Sequence, residues 1–186
     1  MIIHISGAPG SGKSTLGQYI KKNYKNIIVY DLDDLYHKII KKMENQPLEM
    51  FKKNLRIEFQ KYVDKLIKNN ENICFVGLNY PDPRVSYKGK EVFVRPFKVE
   101  IHADHQFYID IPIKQIVKQK FRRTLNETLE DIDHVLDDIL KSKRKVFELH
   151  VGEWVSDSAE WKMMFQEEGY LMLNHDKIKS KLKTLL

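Results

Sequence analysis

The chain has 186 residues, 42% of them hydrophobic and 31% charged, which describes an ordinary soluble globular protein with one domain over 1–186, or one domain with a lid. No apolar run approaches the ~18 residues needed to cross a bilayer, which excludes a membrane span. The formal charge of +6 suits anionic ligands, nucleotides or nucleic acid. Lysines that only solvate the outer faces of helices would give the same charge, so the support for nucleic acid is weak.

The N-terminus predicts a buried strand. Residues 1–5 (MIIHI) have no basic region ahead of their apolar stretch and lead straight into a glycine-rich loop, unlike a signal peptide. The single cysteine, Cys74, sits in an apolar run and cannot form an internal disulfide. We therefore expect a reducing, cytoplasmic compartment, with Cys74 as a small buried side chain.

Apolar runs alternate with helical patterns along the chain, which predicts an α/β protein built around a parallel sheet. The predicted strands lie at 1–6, 27–31, 73–78, 106–111 and 169–173. Two regions break the alternation. Residues 84–101 carry apolar positions around a Lys-Gly-Lys turn and predict a small inserted β-hairpin. Residues 121–150 predict a helical excursion, which is either a mobile lid or a packed helical hairpin.

The loop after the first strand matches the phosphate-binding pattern G-x-x-x-x-G-K-[ST], the Walker A motif. Glycines are needed where the backbone takes positive φ or approaches a ligand without a Cβ, and the successive N–H groups then point inward at an anion. The following helix adds its unpaired N-terminal N–H groups. The predicted nucleotide-binding residues are Gly7, Ala8, Pro9, Gly10, Ser11, Gly12, Lys13, Ser14 and Thr15.

Acidic residues follow the second strand, and strand ends line the ligand crevice of such a sheet. While the chain stays extended, Asp31 and Asp33 point to the same side. We predict that Asp33 faces the acceptor as a base and that Asp31 joins Ser14 in holding Mg²⁺, although the two acids would also fit with their roles exchanged. The alternative is that the acids cap a helix starting near Leu35, which we favour for Asp34.

The third predicted strand lacks the acidic residue that ends many Walker B strands. Gly77, at its end, would let a substrate approach the backbone, and a packing glycine fits equally well. Asn79 and Arg84 are predicted to contact the acceptor on the same rim, with a solvated surface arginine as the alternative for Arg84.

Cations and polar residues in the second half of the chain complete the predicted site. Arg122 and Arg123 would stabilise the charge that builds on a transferred phosphoryl group, one of them serving while the other pairs with acids. Asn174 and His175 lie after the last strand, where the nucleotide base commonly sits. Capping of the C-terminal helix would explain Asn174 just as well.

Together these residues resemble the small-kinase branch of P-loop proteins, which includes nucleoside monophosphate kinases, shikimate and gluconate kinases, and the kinase domain of polynucleotide kinases. The loop at 7–15, Asp31 and Asp33, and the stretch 108–112 leading to Arg122 carry the resemblance. It implies a three-layer α/β/α fold, a five-stranded parallel sheet of order 2-3-1-4-5, a mobile lid, and Mg-ATP as phosphoryl donor.

A hydroxyl-bearing small molecule is the favoured acceptor. Adenylate-kinase-like enzymes hold an acceptor phosphate with arginines after the second strand, yet no arginine occurs between Asp31 and Leu55. The leading hypothesis is therefore phosphoryl transfer from ATP to a small hydroxyl compound, such as a nucleoside.

Two alternatives remain open. A polynucleotide 5′-hydroxyl kinase would use the same machinery with a basic track for the strand. That track would comprise Lys88, Lys90, Arg95 and Lys98. A non-catalytic ATP-binding regulatory module is the alternative of another class, and the missing Walker B acid supports it.

Overall fold

The computed structural model of the protein describes residues 1–128 and 155–186, except for the side chains of 121–128. The strands are β1 (Ile2–Gly7), β2 (Ile28–Asp31), β3 (Ile73–Val76), β4 (Arg84–Tyr87), β5 (Lys90–Phe93), β6 (His105–Ile109) and β7 (Leu171–Leu173). The helices are α1 (Lys13–Asn23), α2 (Leu32–Met43), α3 (Leu48–Asn69), α4 (Ile113–Thr128), α5 (155–167) and α6 (His175–Leu185).

Five strands form the central sheet in the order β2-β3-β1-β6-β7, and helices flank it. Strand β3 pairs in parallel with both β1 and β2, so that Cys74 lies between Ile3 and Val29 in the register. All four residues of β3 are buried, as expected for a central strand covered on both faces. Counted along the chain without the hairpin, this order is 2-3-1-4-5, which confirms the predicted fold class.

The inserted hairpin consists of β4 and β5, which pair antiparallel with Tyr87 opposite Lys90. Its two turn residues, Lys88 and Gly89, both have positive φ, at 50° and 76°. Such a turn matches the twist of the two strands that it joins. The prediction of a hairpin near 84–101 is confirmed, with the paired strands occupying its first half.

The described residues group into two compact units. Unit 1 comprises 1–6, 13–107 and 186. Its core is set by helical spacing: Phe51, Leu55, Phe59 and Val63 recur every four residues along α3, and each is at most 1% exposed. These side chains pack in one cluster with apolar residues of α2, β3 and the hairpin.

Unit 2 comprises 7–12 and the described residues of 108–185. Its core is aromatic: the ring of Phe165, on α5, lies 5.4 Å from Tyr108 and 4.8 Å from Tyr170, centroid to centroid. Ile178 and Leu182, one turn apart on α6, are fully buried. Of the predicted lid at 121–150, the helix α4 includes residues up to Thr128, and 129–150 lie outside the described residues.

Two further expectations can be compared with the structure. Cys74 is buried and carries a free thiol, as predicted. None of the helices in the described ranges is both long enough and apolar enough to cross a membrane.

Candidate active site

The phosphate loop begins where β1 ends, and its first six residues, 7–12, belong to unit 2. Gly10 and Gly12 have φ of 83° and 89°, in the left-handed region that side chains with a Cβ avoid. The Ser11 N–H donates to the carbonyl of Ala8 at 2.9 Å, which closes a tight turn. These positive φ values explain why glycine occupies both loop positions.

Two side chains of unit 2 lie against the loop glycines. A Cβ added to Gly12 would lie 2.8 Å from Nε2 of His175, the first residue of α6. A Cβ added to Gly10 would lie 2.9 Å from Cγ of Lys120, on α4. The absence of side chains at Gly10 and Gly12 thus makes room for a cation and an imidazole beside the loop.

Lys120 is the residue that sequence reasoning missed. Its side chain is partly buried, and desolvation lowers the pKa of its ammonium group while the charge of Asp157 acts in the opposite direction. The signal available in the sequence was its position two residues before Arg122. Residues Arg122 and Arg123 belong to α4, but their side chains lie outside the described part of the structure.

Asn174 and His175 have different surroundings. The side-chain oxygen of Asn174 accepts the Lys177 N–H at 3.0 Å, so Asn174 caps α6 in the way that one of the two sequence interpretations expected. His175 lies at the phosphate loop instead, next to Gly12.

The start of α1 and the acidic residues after β2 belong to unit 1. The Ser14 hydroxyl donates to Oδ2 of Asp31 at 3.1 Å. The other carboxylate oxygen of Asp31, Oδ1, accepts the Asp33 N–H at 3.0 Å, which makes Asp31 the N-cap of α2. One carboxylate therefore both starts the helix and contacts the last residue of the phosphate-loop motif.

This cap corrects one expectation. We expected an extended chain through Asp33 and a helix from about Leu35, whereas α2 begins at Leu32. Because the Asp31 side chain satisfies an N–H group of the first turn, the chain becomes helical at once. Asp31 and Asp33 thus do not alternate along a strand; Asp33 lies in the first turn of the helix that Asp31 caps.

Asp33 lies in a charged environment. Although its side chain is exposed, desolvation by the surrounding protein is the main cause that raises its pKa, followed by the negative charge of Asp31. The positive charge of Lys13 acts in the opposite direction, as does His37 one turn further along α2. The structure thus places the Asp33 carboxylate near Asp31 and Lys13, within unit 1.

Oxygen atoms at this site fit Mg²⁺. Proteins hold Mg²⁺ with one or two carboxylates, and substrate phosphates and water complete the octahedron. Ser14 and Asp31 offer one hydroxyl and one carboxylate within hydrogen-bond distance. Among the described residues there is no group of three or more His, Cys, Asp or Glu that could hold a metal by itself, so an ion here would depend on the phosphates.

Two of the three predicted acceptor contacts, Gly77 and Arg84, are already engaged by other residues of unit 1. A Cβ added to Gly77 would lie 3.0 Å from Cβ of Leu32, which supports the packing interpretation of that glycine. Arg84 is paired with Asp82 through Nη2 and Nε, at 2.9 and 3.1 Å. Asn79 is 3% exposed, and its Oδ1 has no hydrogen-bond partner among the described residues.

The cap at Asp31 allows a matched pair of substitutions. Asp31→Ala removes the cap and should lower the free energy of unfolding by ~1 kcal/mol, whereas Asp31→Asn keeps a capping oxygen and should cost only a few tenths. Urea unfolding of both variants measures the difference. Equal destabilisation by the two substitutions would show that Asp31 does not act as a cap.

Comparisons with known proteins agree with this fold. The structure is similar to that of deoxyadenosine kinase from M. mycoides, with a TM-score of 0.51 and 15% identity, covering 99% of this chain and 100% of that one. At this identity the likeness concerns the fold alone. No protein-family model matches the sequence, and no curated protein does.

Two RNA-repair assemblies show lower similarity. The Pnkp1/Rnl/Hen1 complex has a TM-score of 0.37 and 21% identity, over 63% of this chain and 38% of that chain. The Pnkp1/Rnl/Hen1 RNA repair complex has a TM-score of 0.40 and 18% identity, over 86% and 45%. These two likenesses add nothing to the assignment of the fold.

Proposed function

We propose that the chain is an ATP-dependent phosphotransferase that transfers the γ-phosphoryl group of ATP to a hydroxyl group of a small acceptor. The observation that carries the proposal is the hydrogen bond between Ser14 Oγ and Asp31 Oδ2. It joins Ser14, at the end of a complete phosphate-loop motif, to Asp31, the last residue of β2. A structural glycine loop would have no need of this link, whereas a magnesium nucleotide needs both groups.

The phosphate loop would bind the donor. The N-terminus of α1 would attract the phosphates, because the first N–H groups and the dipole of a helix favour negative charge. Lys13 would neutralise the β- and γ-phosphates. Ser14 and Asp31 would hold Mg²⁺, which when bound shields the charge of these phosphates. We assign His175 to the phosphate end of the nucleotide, since it lies beside Gly12.

Asp33 would serve the acceptor. It lies in the first turn of the helix that Asp31 caps, and its side chain is exposed to solvent. As the acceptor oxygen bonds to the γ-phosphorus, Asp33 takes the hydroxyl proton, and the bond from that phosphorus to the bridging oxygen breaks to leave ADP. Lys120 and one of the pair Arg122 and Arg123 would stabilise the charge of the transferred group.

A nucleoside is our first candidate for the acceptor. One solved structure with a similar fold is named as a deoxyadenosine kinase. In addition, the side-chain carbonyl oxygen of Asn79 is buried and has no hydrogen-bond partner among the described residues. Such an oxygen can accept a hydrogen bond from a ribose hydroxyl or a base amine. Gly77 and Arg84 have weaker support, because Leu32 and Asp82 already engage them.

The experiment is a measurement of ATP consumption with Mg²⁺ against a panel of nucleosides, nucleotides, small polyols and 5′-hydroxyl oligonucleotides. We expect turnover with at least one nucleoside or other hydroxyl compound, and none in Lys13→Ala. ATP that binds tightly but is never consumed with any acceptor would contradict the proposal and favour a non-catalytic binding module.

Lys120 provides a separate prediction. Lys120→Met removes the charge beside Gly10 but keeps an apolar stem, and it should weaken ATP binding about 10- to 100-fold, the range for losing one hydrogen bond to a charged group. Lys118→Met, at an exposed position of the same helix, should bind ATP normally. Calorimetry of ATP binding compares the variants, and equal affinities would exclude Lys120 from the phosphate site.

A further inference from the structure

A basic groove of about 840 Å³ opens in unit 1 between α3 and the segment 94–97. None of the residues assigned above to phosphate, metal or acceptor lines it. Its charged lining consists of five cations and one acid, namely Lys52, Lys53, Arg56, Lys61, Arg95 and Glu49. A groove with this excess of positive charge attracts an anionic ligand.

The cations occupy both walls of the groove. Lys53 and Arg56 lie one turn apart on α3, and Arg95 lies on the opposite segment. All three side chains are exposed, and none forms an ion pair with the described residues. Lys61 differs, because it is paired with Glu58 at 3.0 Å. Three cations therefore remain available to a ligand that runs between the two walls.

The base of the groove is apolar. Leu55 and Val94, at 1% and 2% exposure, form part of its lining, and the half-buried ring of Phe97 lies beside them. A ring next to cations suits a single-stranded polynucleotide, since an unpaired base can stack on the ring while a phosphate pairs with a cation.

We propose that this groove binds a single-stranded polynucleotide. A duplex keeps its bases stacked inside and could not use the apolar base of the groove. A bilayer is flat, whereas these cations and apolar groups line a concave surface. Binding of this kind does not depend on the phosphotransfer proposed above, because it needs neither ATP nor the residues of the phosphate loop.

The test is fluorescence anisotropy with labelled oligothymidylate of about 15 nucleotides, a length within the range that one binding module covers. The groove variant combines Lys53→Ala, Arg56→Ala and Arg95→Ala. The control variant combines Lys21→Ala, Lys22→Ala and Lys25→Ala, which are exposed in the same unit and remove the same charge. Both are measured from low to moderate salt, without ATP.

We expect the groove variant to bind about 10- to 100-fold more weakly. Its slope of log affinity against log salt should fall by about two, since each lost contact to a single strand contributes ~0.7. The control should keep the slope and an affinity within about threefold. The single variant Arg56→Ala, which removes one exposed side chain, should bind about three- to tenfold more weakly and provides a test if the triple variant fails to fold.

Three outcomes would overturn the proposal. Equal weakening in the groove and control variants would show that net charge alone binds the strand. Unchanged binding by the groove variant would place the strand elsewhere. Binding of polyglutamate or of vesicles containing phosphatidylserine, lost in the groove variant while oligothymidylate does not bind, would assign the groove to a different anionic partner.

Discussion

Asp33→Asn should lower kcat by about 10²- to 10⁴-fold, the usual contribution of a general base, while ATP affinity stays nearly unchanged. The amide keeps the shape of the side chain but cannot take the acceptor proton. Because Asp31, rather than Asp33, contacts Ser14, the magnesium nucleotide should still bind. Steady-state kinetics and ATP calorimetry on the same preparation measure both effects.

The neighbouring acid provides the control for this prediction. Asp34 is exposed in the same helical turn, and Asp34→Asn should change kcat by about twofold at most, as surface substitutions usually do. If Asp34→Asn lowers kcat as much as Asp33→Asn does, the effect reflects the loss of negative charge near the site. An active Asp33→Asn combined with an inactive Asp31→Asn would exchange the roles of the two acids.

Gly12→Ala should abolish measurable ATP binding and destabilise the protein. The left-handed backbone at φ 89° costs a residue with a Cβ ~1–2 kcal/mol. The new Cβ would also lie 2.8 Å from Nε2 of His175, so either the imidazole rotates away or the loop shifts, and crowding of this kind adds ~1–3 kcal/mol. Both changes disturb the loop that the phosphates would contact.

Gly169→Ala separates these two costs. Gly169 has a similar φ of 85°, but nothing lies within 4 Å of an added Cβ. This variant should lose only the ~1–2 kcal/mol of backbone strain and should bind ATP normally. Urea unfolding and ATP calorimetry of the two glycine variants make the comparison. Equal stability and normal ATP binding in both variants would show that the contact with His175 affects neither property.

Local signals in the sequence predicted the fold and the backbone conformation of the glycine loop at 7–12. The apolar runs of the five sheet strands are short and bounded, and each observed strand lies within a few residues of its predicted position. The positive φ of Gly10 and Gly12 follows from a motif whose spacing has a physical cause. The hairpin turn could also be predicted from neighbouring residues, because it consists of Lys88 and Gly89, which both take positive φ.

Contacts between distant parts of the chain were not predictable in the same way. Lys120 and His175 lie against the loop glycines because α4 and α6 pack in unit 2, and no spacing in the sequence encodes that packing. The early start of α2 depends on one side-chain hydrogen bond from Asp33 N–H to Asp31. The basic groove likewise needs α3 and residue Arg95 to come together across about 40 residues of chain.

The most direct test of the central claim follows the γ-phosphate of ATP. The protein is incubated with Mg²⁺, ATP labelled at the γ-phosphate and the acceptor that the panel identifies, and the products are separated. We predict that the label appears on the acceptor hydroxyl in a one-to-one ratio with ADP, that Lys13→Ala abolishes the transfer, and that Asp33→Asn slows it about 10²- to 10⁴-fold. Label released only as inorganic phosphate, in equal amounts with and without the acceptor, would contradict a phosphotransferase and indicate an ATPase.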